Sequence, residues 1–198
     1  MNQPVPGIAP SPRRLGMVVV LVALLMPALL MPPPGRAGLV SGASQGEGLG
    51  NQFLAQIRET HAIAQVVRCF ENDDVIHVSG RVDPVGDIET IATELLLADM
   101  DTVARALERA AKAARSQDKA AIARHAFLQD LKAHVDAGEP ARTFEVPDDQ
   151  RGNFRELHLL TAKPVMYIAN VDEDGFEDND KLDAVRATAA AEGAIVVP

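Results

Sequence analysis

The chain has 198 residues, 47% apolar and 24% charged, with a net charge of −9, one cysteine, no tryptophan and few aromatic residues (six Phe, one Tyr). These values exclude a disordered polymer, a disulfide-stapled secreted module and a basic nucleic-acid binder, and they leave room for one globular domain or one domain with an insertion. The charge is unevenly placed: no Asp or Glu precedes Glu47, and the only charges before Gly35 are Arg13 and Arg14, so residues 35–198 alone carry −11.

Residues 1–14 are rich in proline, and an apolar run over residues 15–31 then closes on Pro32, Pro33 and Pro34. A spanning helix needs about 20 apolar residues. This run is shorter and contains Pro27, so it reads as the h-region of a signal peptide, or as an anchor, rather than as a secure span. No Ala-x-Ala-like cleavage site is evident, and Arg13 and Arg14 would hold the start of the chain on the cytoplasmic side if the run inserted. Membrane association through residues 15–31 is one expectation. The other is a frame artefact, because Pro, Arg, Gly, Ala and Leu without Asp, Glu or Lys is what a wrong frame through GC-rich coding sequence produces.

From Gly35 to Asn51 a glycine-rich loop leads into a helical pattern carrying Phe53, Leu54 and Ile57. Residues 63–70 are short, β-branched and nearly uncharged, the pattern of a strand buried inside an α/β sheet. A long helix is predicted from near Asp87, with Leu96, Met100, Val103, Leu107, Ala110 and Ala114 forming a heptad seam. A second helix follows Asp118, with Ala121, His125, Leu128, Leu131 and Val135 on one stripe, and ends at Gly138 and Pro140. Joined by a short polar link, the two predict an antiparallel hairpin, or coiled coil. Residues 139–160 read as a loop and then a short helix from Phe154 to Leu160. Residues 164–170 predict a second buried strand, 179–191 an amphipathic helix and 194–197 a third strand. The order strand, hairpin, strand, helix, strand predicts an α/β fold: a parallel sheet with a helical excursion inserted.

Several blocks in this order are specific. They are Ala37-Gly-Leu-Val-x-Gly-Ala-Ser-x-Gly-Glu-Gly-Leu-Gly-Asn51, Ile57-Arg-Glu-Thr60, Val66-Val-Arg-Cys-Phe-Glu-Asn-Asp73, His77-Val-x-Gly80, Val82-Asp-Pro84, Thr93-Glu-Leu95 and Lys163-Pro-x-Met-Tyr-Ile-Ala-Asn-Val-x-Glu-Asp-Gly-Phe-Glu177. Together they resemble the YchF-type Obg-like ATPases, members of the P-loop GTPase class that prefer ATP and use GTP secondarily. The resemblance covers roughly residues 35–198. It implies a partial Obg-type G domain over 35–86 and 161–198, interrupted by a coiled-coil insertion over 87–160, with residues 1–34 unmatched. It also implies Mg²⁺ and ATP as cofactor and substrate, the ribosome as partner, and a cytoplasmic location.

Departures from the family pattern shape the functional expectation. A P-loop enzyme cradles phosphates on the backbone amides of G-x-x-x-x-G-K-[ST], with the Lys on the phosphates and the hydroxyl on Mg²⁺. This chain has no Gly-Lys dipeptide, and the family's metal-positioning Asp falls on Gly35. The expectation is therefore a truncated or frame-shifted fragment that binds neither cofactor and is inactive alone. The alternative is a noncatalytic, membrane-tethered module that presents the hairpin to a partner.

The resemblance suggests two catalytic positions: Leu39, where Ras-like GTPases keep the glutamine that orients water, and His77, whose imidazole can donate or accept near neutral pH. Either residue also fits simple packing. Asn170, Val171 and Glu173 match the family's Asn-x-x-Glu, which replaces Asn-Lys-x-Asp and is associated there with adenine use. Their place after a predicted buried strand agrees with ligand binding at the carboxyl ends of parallel strands, although Asn and Asp also serve as ordinary turn residues. The acidic cluster from Asp172 to Asp183 fails as an EF-hand because its glycine is fourth, not sixth. It reads as a solvated face at a helix start. His125 has no ligand partner at metal spacing, and Cys69 reads as a buried small apolar residue.

Overall fold

The computed structural model describes the backbone of residues 18–22, and residues 53–71 and 82–198. Four strands, β1 (Val18–Val22), β2 (Ala62–Arg68), β3 (Val165–Asn170) and β4 (Ile195–Val197), pair in that order, every pair parallel. The helices are α1 over residues 53–58, α2 (Pro84–Ala113), α3 (Lys119–Asp136), α4 (Arg151–Glu156) and α5 (Asp180–Glu192).

Part of the apolar amino-terminal run takes a form that its hydrophobicity alone did not predict. Val18–Val22 is a strand in register with β2, from Val18 opposite Ala62 to Val22 opposite Val66. Consecutive valines are stiff at χ1 and favour the pleated chain over a helix. Among the described residues no helix is long and apolar enough to cross a membrane. The reading of residues 15–31 as a membrane anchor therefore has no structural support.

β2 and β3 are the centre of the sheet. Their register sets Ile63 opposite Val165, Gln65 opposite Tyr167 and Val67 opposite Ala169. These side chains share one face because successive residues of a strand alternate. That face is covered by α2, through Ile88, Ile91 and Leu95, and by α5, through Leu182, Val185 and Ala189. Each large side chain buried here contributes about 1.5–3 kcal/mol. On the alternate face, Ile195 and Val197 at the β4 edge are 65% and 43% exposed.

Pro84 at the first position, with the Asp83 carboxylate accepting from Gly86 N–H at 3.1 Å, starts α2 three residues ahead of the sequence-based expectation. The helix then serves two cores. Its first half packs on the sheet; its second half packs on α3, with Val103, Ala106 and Ala110 against Phe127, Leu128, Leu131 and Val135. The predicted seam is present but rotated at its start: Leu95 and Asp99 are buried, while Leu96 and Met100 are half-buried. Ala114 already belongs to a short 3-10 turn. Of the predicted α3 stripe, Leu128, Leu131 and Val135 are buried together with Phe127, while Ala121 and His125 are half-buried.

Gly138, at φ +91°, adopts a backbone that other residues rarely do, and turns the chain out of α3. The predicted short helix is α4, earlier than expected, and residues 157–160 instead form a turn that buries Leu159 and Leu160. Asp99 holds this return. Its carboxylate accepts from Leu160 N–H at 2.8 Å, Thr161 N–H at 2.7 Å and the Thr161 hydroxyl at 2.7 Å, with Arg58 Nη1 at 3.9 Å. Burial pushes the Asp99 carboxyl above the usual aspartate value, against the opposing pull of these hydrogen bonds and of Arg58.

Candidate functional site at the carboxyl ends of the strands

β2 and β3 end side by side. Cys69 N–H donates to the Asn170 carbonyl at 2.8 Å, carrying the ladder past the last residue of β2. The chain leaving β3 then curls over residues 171–179 before α5 begins. Asn179 organises this loop: its Oδ1 accepts from Lys181 and Leu182 N–H, both at 3.1 Å, capping α5. Its Nδ2 donates to the Cys69 carbonyl at 2.9 Å and the Gly175 carbonyl at 3.0 Å. One side chain thus ties the helix start, the loop and the end of β2 together. Gly175 is buried beneath the loop, where a Cβ would lie 2.3 Å from Asp172 Oδ1 and 3.2 Å from Asn179 Nδ2.

Between the two strand ends lies a cavity of about 400 Å³, with Cys69, Phe70 and Glu71 on one side and residues from Asp172 to Lys181 on the other. Glu71, Asp172, Asp174, Glu177, Asp178 and Asp180 make its wall strongly acidic. Lys181, the one cation among the described lining residues, lies 2.7 Å from Glu71 Oε1. Burial pushes the Cys69 thiol up to about 11, partly offset by Lys181, so it stays protonated near neutral pH. Chemically the wall is a set of acceptors, suited to amine and hydroxyl hydrogens and unsuited to phosphate oxygens.

Asn170, Val171 and Glu173 all come to this edge of the sheet. None of the three is among the residues lining the cavity: Asn170 and Glu173 are exposed and Val171 is half-buried. Leu39, His77 and Gly35 lie outside the described residues. The sequence reading missed Asn179 as an organising residue, although an Asn directly before an amphipathic helix is a readable capping signal. The acidic run after Asp172 is solvent-exposed as expected. Among the described residues, no cluster of three or more His, Cys, Asp or Glu is arranged to hold a metal. His125 is half-buried on the α3 stripe.

A parallel α/β sheet with a polar cavity at its carboxyl edge defines the class of domain that binds ligands outside the strand ends. No family model matches the chain. It is similar to the ribosome-binding ATPase YchF of Escherichia coli O157:H7, with 56% identity over 162 residues, covering 82% of this chain and 45% of that protein. It is similar also to the proteins of the same name from Bacillus subtilis, with 48% identity over 164 residues, and from Haemophilus influenzae, with 46% identity over 201 residues. The Haemophilus alignment covers 99% of this chain, and so runs into the residues before Gly35, and 54% of that protein. Among solved structures, the YchF GTPase of Schizosaccharomyces pombe matches with a TM-score of 0.68 and 34% identity over 82% of this chain and 46% of that one. Over the portion aligned, the chain belongs to the YchF-type Obg-like ATPases. It spans about half the length of the curated relatives it matches.

ATP and Mg²⁺ are the groups this family implies. The acceptor-rich wall fits the amine of a base or the hydroxyls of a ribose. Its described lining does not fit a triphosphate, which would face six carboxylates there and a lysine already paired with Glu71.

Proposed function

We propose that this chain is the nucleoside-recognising portion of a YchF-type nucleotidase and that it does not hydrolyse ATP by itself. In this reading residues 35–86 and 161–198 are parts of the G-domain sheet, and residues 87–160 are an inserted antiparallel helical hairpin. The observation that carries the reading is the placement of the Asn170–Glu173 segment at the carboxyl end of β3, beside the acceptor-lined cavity. Asn170 and Glu173, with Val171 between them, meet the base. His77 and Leu39, which the family resemblance assigns to water and γ-phosphate, have no G-x-x-x-x-G-K-[ST] segment in this chain to hold the phosphate on which they would act. The described residues supply no support for a membrane-tethered role.

The hairpin supplies the partner surface. Its end, from Arg105 to Arg124, carries six basic residues against Glu108 and Asp118, in a chain of net charge −9. Arg105, Arg109, Lys112, Arg115 and Lys119 are exposed. Such a tip suits the phosphate backbone of ribosomal RNA, in keeping with the ribosome-binding name of the relatives.

Calorimetric titration of the full chain with Mg-ATP, Mg-GTP and adenosine tests the nucleotide reading. Adenosine binding with no Mg-ATP or Mg-GTP binding tighter than millimolar, and no phosphate release, is the expected result. Micromolar Mg-ATP affinity would overturn it.

A further inference from the structure

We propose that the chain carries a second small-molecule site, on the helix-covered face of the sheet, which takes a small neutral molecule with an oxygen acceptor and a short alkyl part. The site is a cavity of about 240 Å³ between β2, β3, α2, the end of α5 and the loop that leaves α3. Gln65 lies in the middle of β2, four residues before Cys69, so about 13 Å of strand separates it from the acidic cavity at the carboxyl edge.

The cavity contains an unpaired donor. Gln65 is 4% exposed, lines the cavity, and its Nε2 has no hydrogen-bond partner. A buried amide nitrogen left unpaired costs about 1–3 kcal/mol, and native interiors rarely leave such a group unsatisfied. The neighbouring polar groups are already engaged with one another. Glu192 Oε2 accepts from the Tyr167 hydroxyl at 2.9 Å and from Arg142 Nη2 at 3.1 Å. Burial and the adjacent Glu192 carboxylate keep the Tyr167 hydroxyl protonated. The Arg142–Glu192 pair has no net charge, so the cavity attracts neither an anion nor a cation. What Gln65 lacks is an acceptor.

The remaining wall is apolar, with Ile63 and Val165 next to Gln65 and Tyr167 on the same sheet face and Leu95 and Leu160 contributed by α2 and the return turn. A cavity of this size filled with water would press several molecules against that wall, where they would find few of the two to four polar partners that a buried water needs. An amphipathic occupant satisfies both walls, with a carbonyl oxygen on Gln65 and an alkyl chain on the leucine and isoleucine side. Because Gly138, Pro140 and Arg142 close one side, the occupant bridges the sheet to the return loop of the helical excursion.

Butyramide is a suitable probe, with n-butylammonium as a donor-only control of similar size. Titrated into the full chain, butyramide is expected to shift the Gln65 side-chain amide resonances saturably and to raise Tm by about 3–6 °C at ten times its Kd. n-Butylammonium is expected to do neither. Gln65→Leu removes the donor and should weaken butyramide at least tenfold. Ala92→Phe, at an exposed helix position on the cavity lining, blocks the space without disturbing the core and should abolish the shift even if the first variant misfolds. Equal, non-saturating responses to both probes would show a water-filled gap, and unchanged binding in Ala92→Phe would place butyramide outside this cavity; either result overturns the proposal.

Discussion

Asp99 and Thr161 lie 62 residues apart and are joined by two hydrogen bonds of 2.7 Å, from the Thr161 N–H and hydroxyl to the same carboxylate oxygen. With the further bond from Leu160 N–H, Asp99 fixes where the chain re-enters the sheet after its excursion through α3 and α4. Asp99→Ala removes the acceptor from three buried donors at once. The expected loss is about 2–4 kcal/mol, less than the sum of the bonds because the cost of burying the carboxylate goes with them. Urea denaturation should show a lower midpoint with an unchanged slope.

Asn179 has a different kind of leverage, acting locally on the acidic cavity. Asn179→Ala loses the cap of α5 and the donor to the Cys69 and Gly175 carbonyls. A stability loss of about 1–2 kcal/mol is expected from the cap. Hydrogen exchange should quicken at Lys181 and Leu182, while amides of α3 remain as protected as in the parent chain. Adenosine affinity should fall with it; retained affinity would separate the cavity from the nucleoside site.

The buried thiol makes a prediction about alkaline pH. The folded-state pKa of Cys69 is about 11 against an ordinary 9.0. Between those values the folded chain keeps a proton that the unfolded chain has released, so the stability from this group is complete below pH 9.0 and is lost as pH rises toward 11. Cys69→Ala should therefore be less sensitive to pH than the parent between pH 9 and 11, measured by urea midpoints. At pH 8 the native thiol should react with a disulfide reagent at least about 100-fold more slowly than the urea-unfolded chain, from the smaller thiolate fraction alone.

Charge reversal tests the proposed partner surface. Arg109→Glu with Lys112→Glu, both at exposed positions of α2, should leave urea stability within about 0.5 kcal/mol. Cosedimentation with ribosomes at low salt should fall severalfold, and its salt dependence should become shallower. Unchanged cosedimentation would place the ribosome contact elsewhere on the chain.

Much of the fold is legible in the residues. β2 and β3 stand out as short β-branched runs, α2 and α3 as periodic stripes with Asp83 and Asp118 before them, and α5 as a helix with Asn179 in front and Gly193 behind. The candidate site is legible only in outline. The Asn170–Glu173 segment arrives at the carboxyl edge, yet the cavity is lined by its neighbours and by Glu71 and Lys181. Motif matching reports which segment reaches the site, and loop geometry decides which side chains face it.

By itself, the sequence determined the order of the elements, the parallel α/β arrangement and the YchF-type resemblance, because capping residues and hydrophobic periods act over a few neighbouring positions. Tertiary structure alone decided that Val18–Val22 is a strand, that Asp99 is buried, and that Gln65 faces a cavity with no partner. Local pattern reads the first case as an apolar run and the second as a polar position next to a seam. Their outcomes depend on groups 40 or more positions away: Ala62 to Val66 opposite β1, and Leu160 and Thr161 around Asp99. A backbone or carboxylate group is satisfied by whichever partner the fold brings to it, and that partner has no fixed distance along the chain.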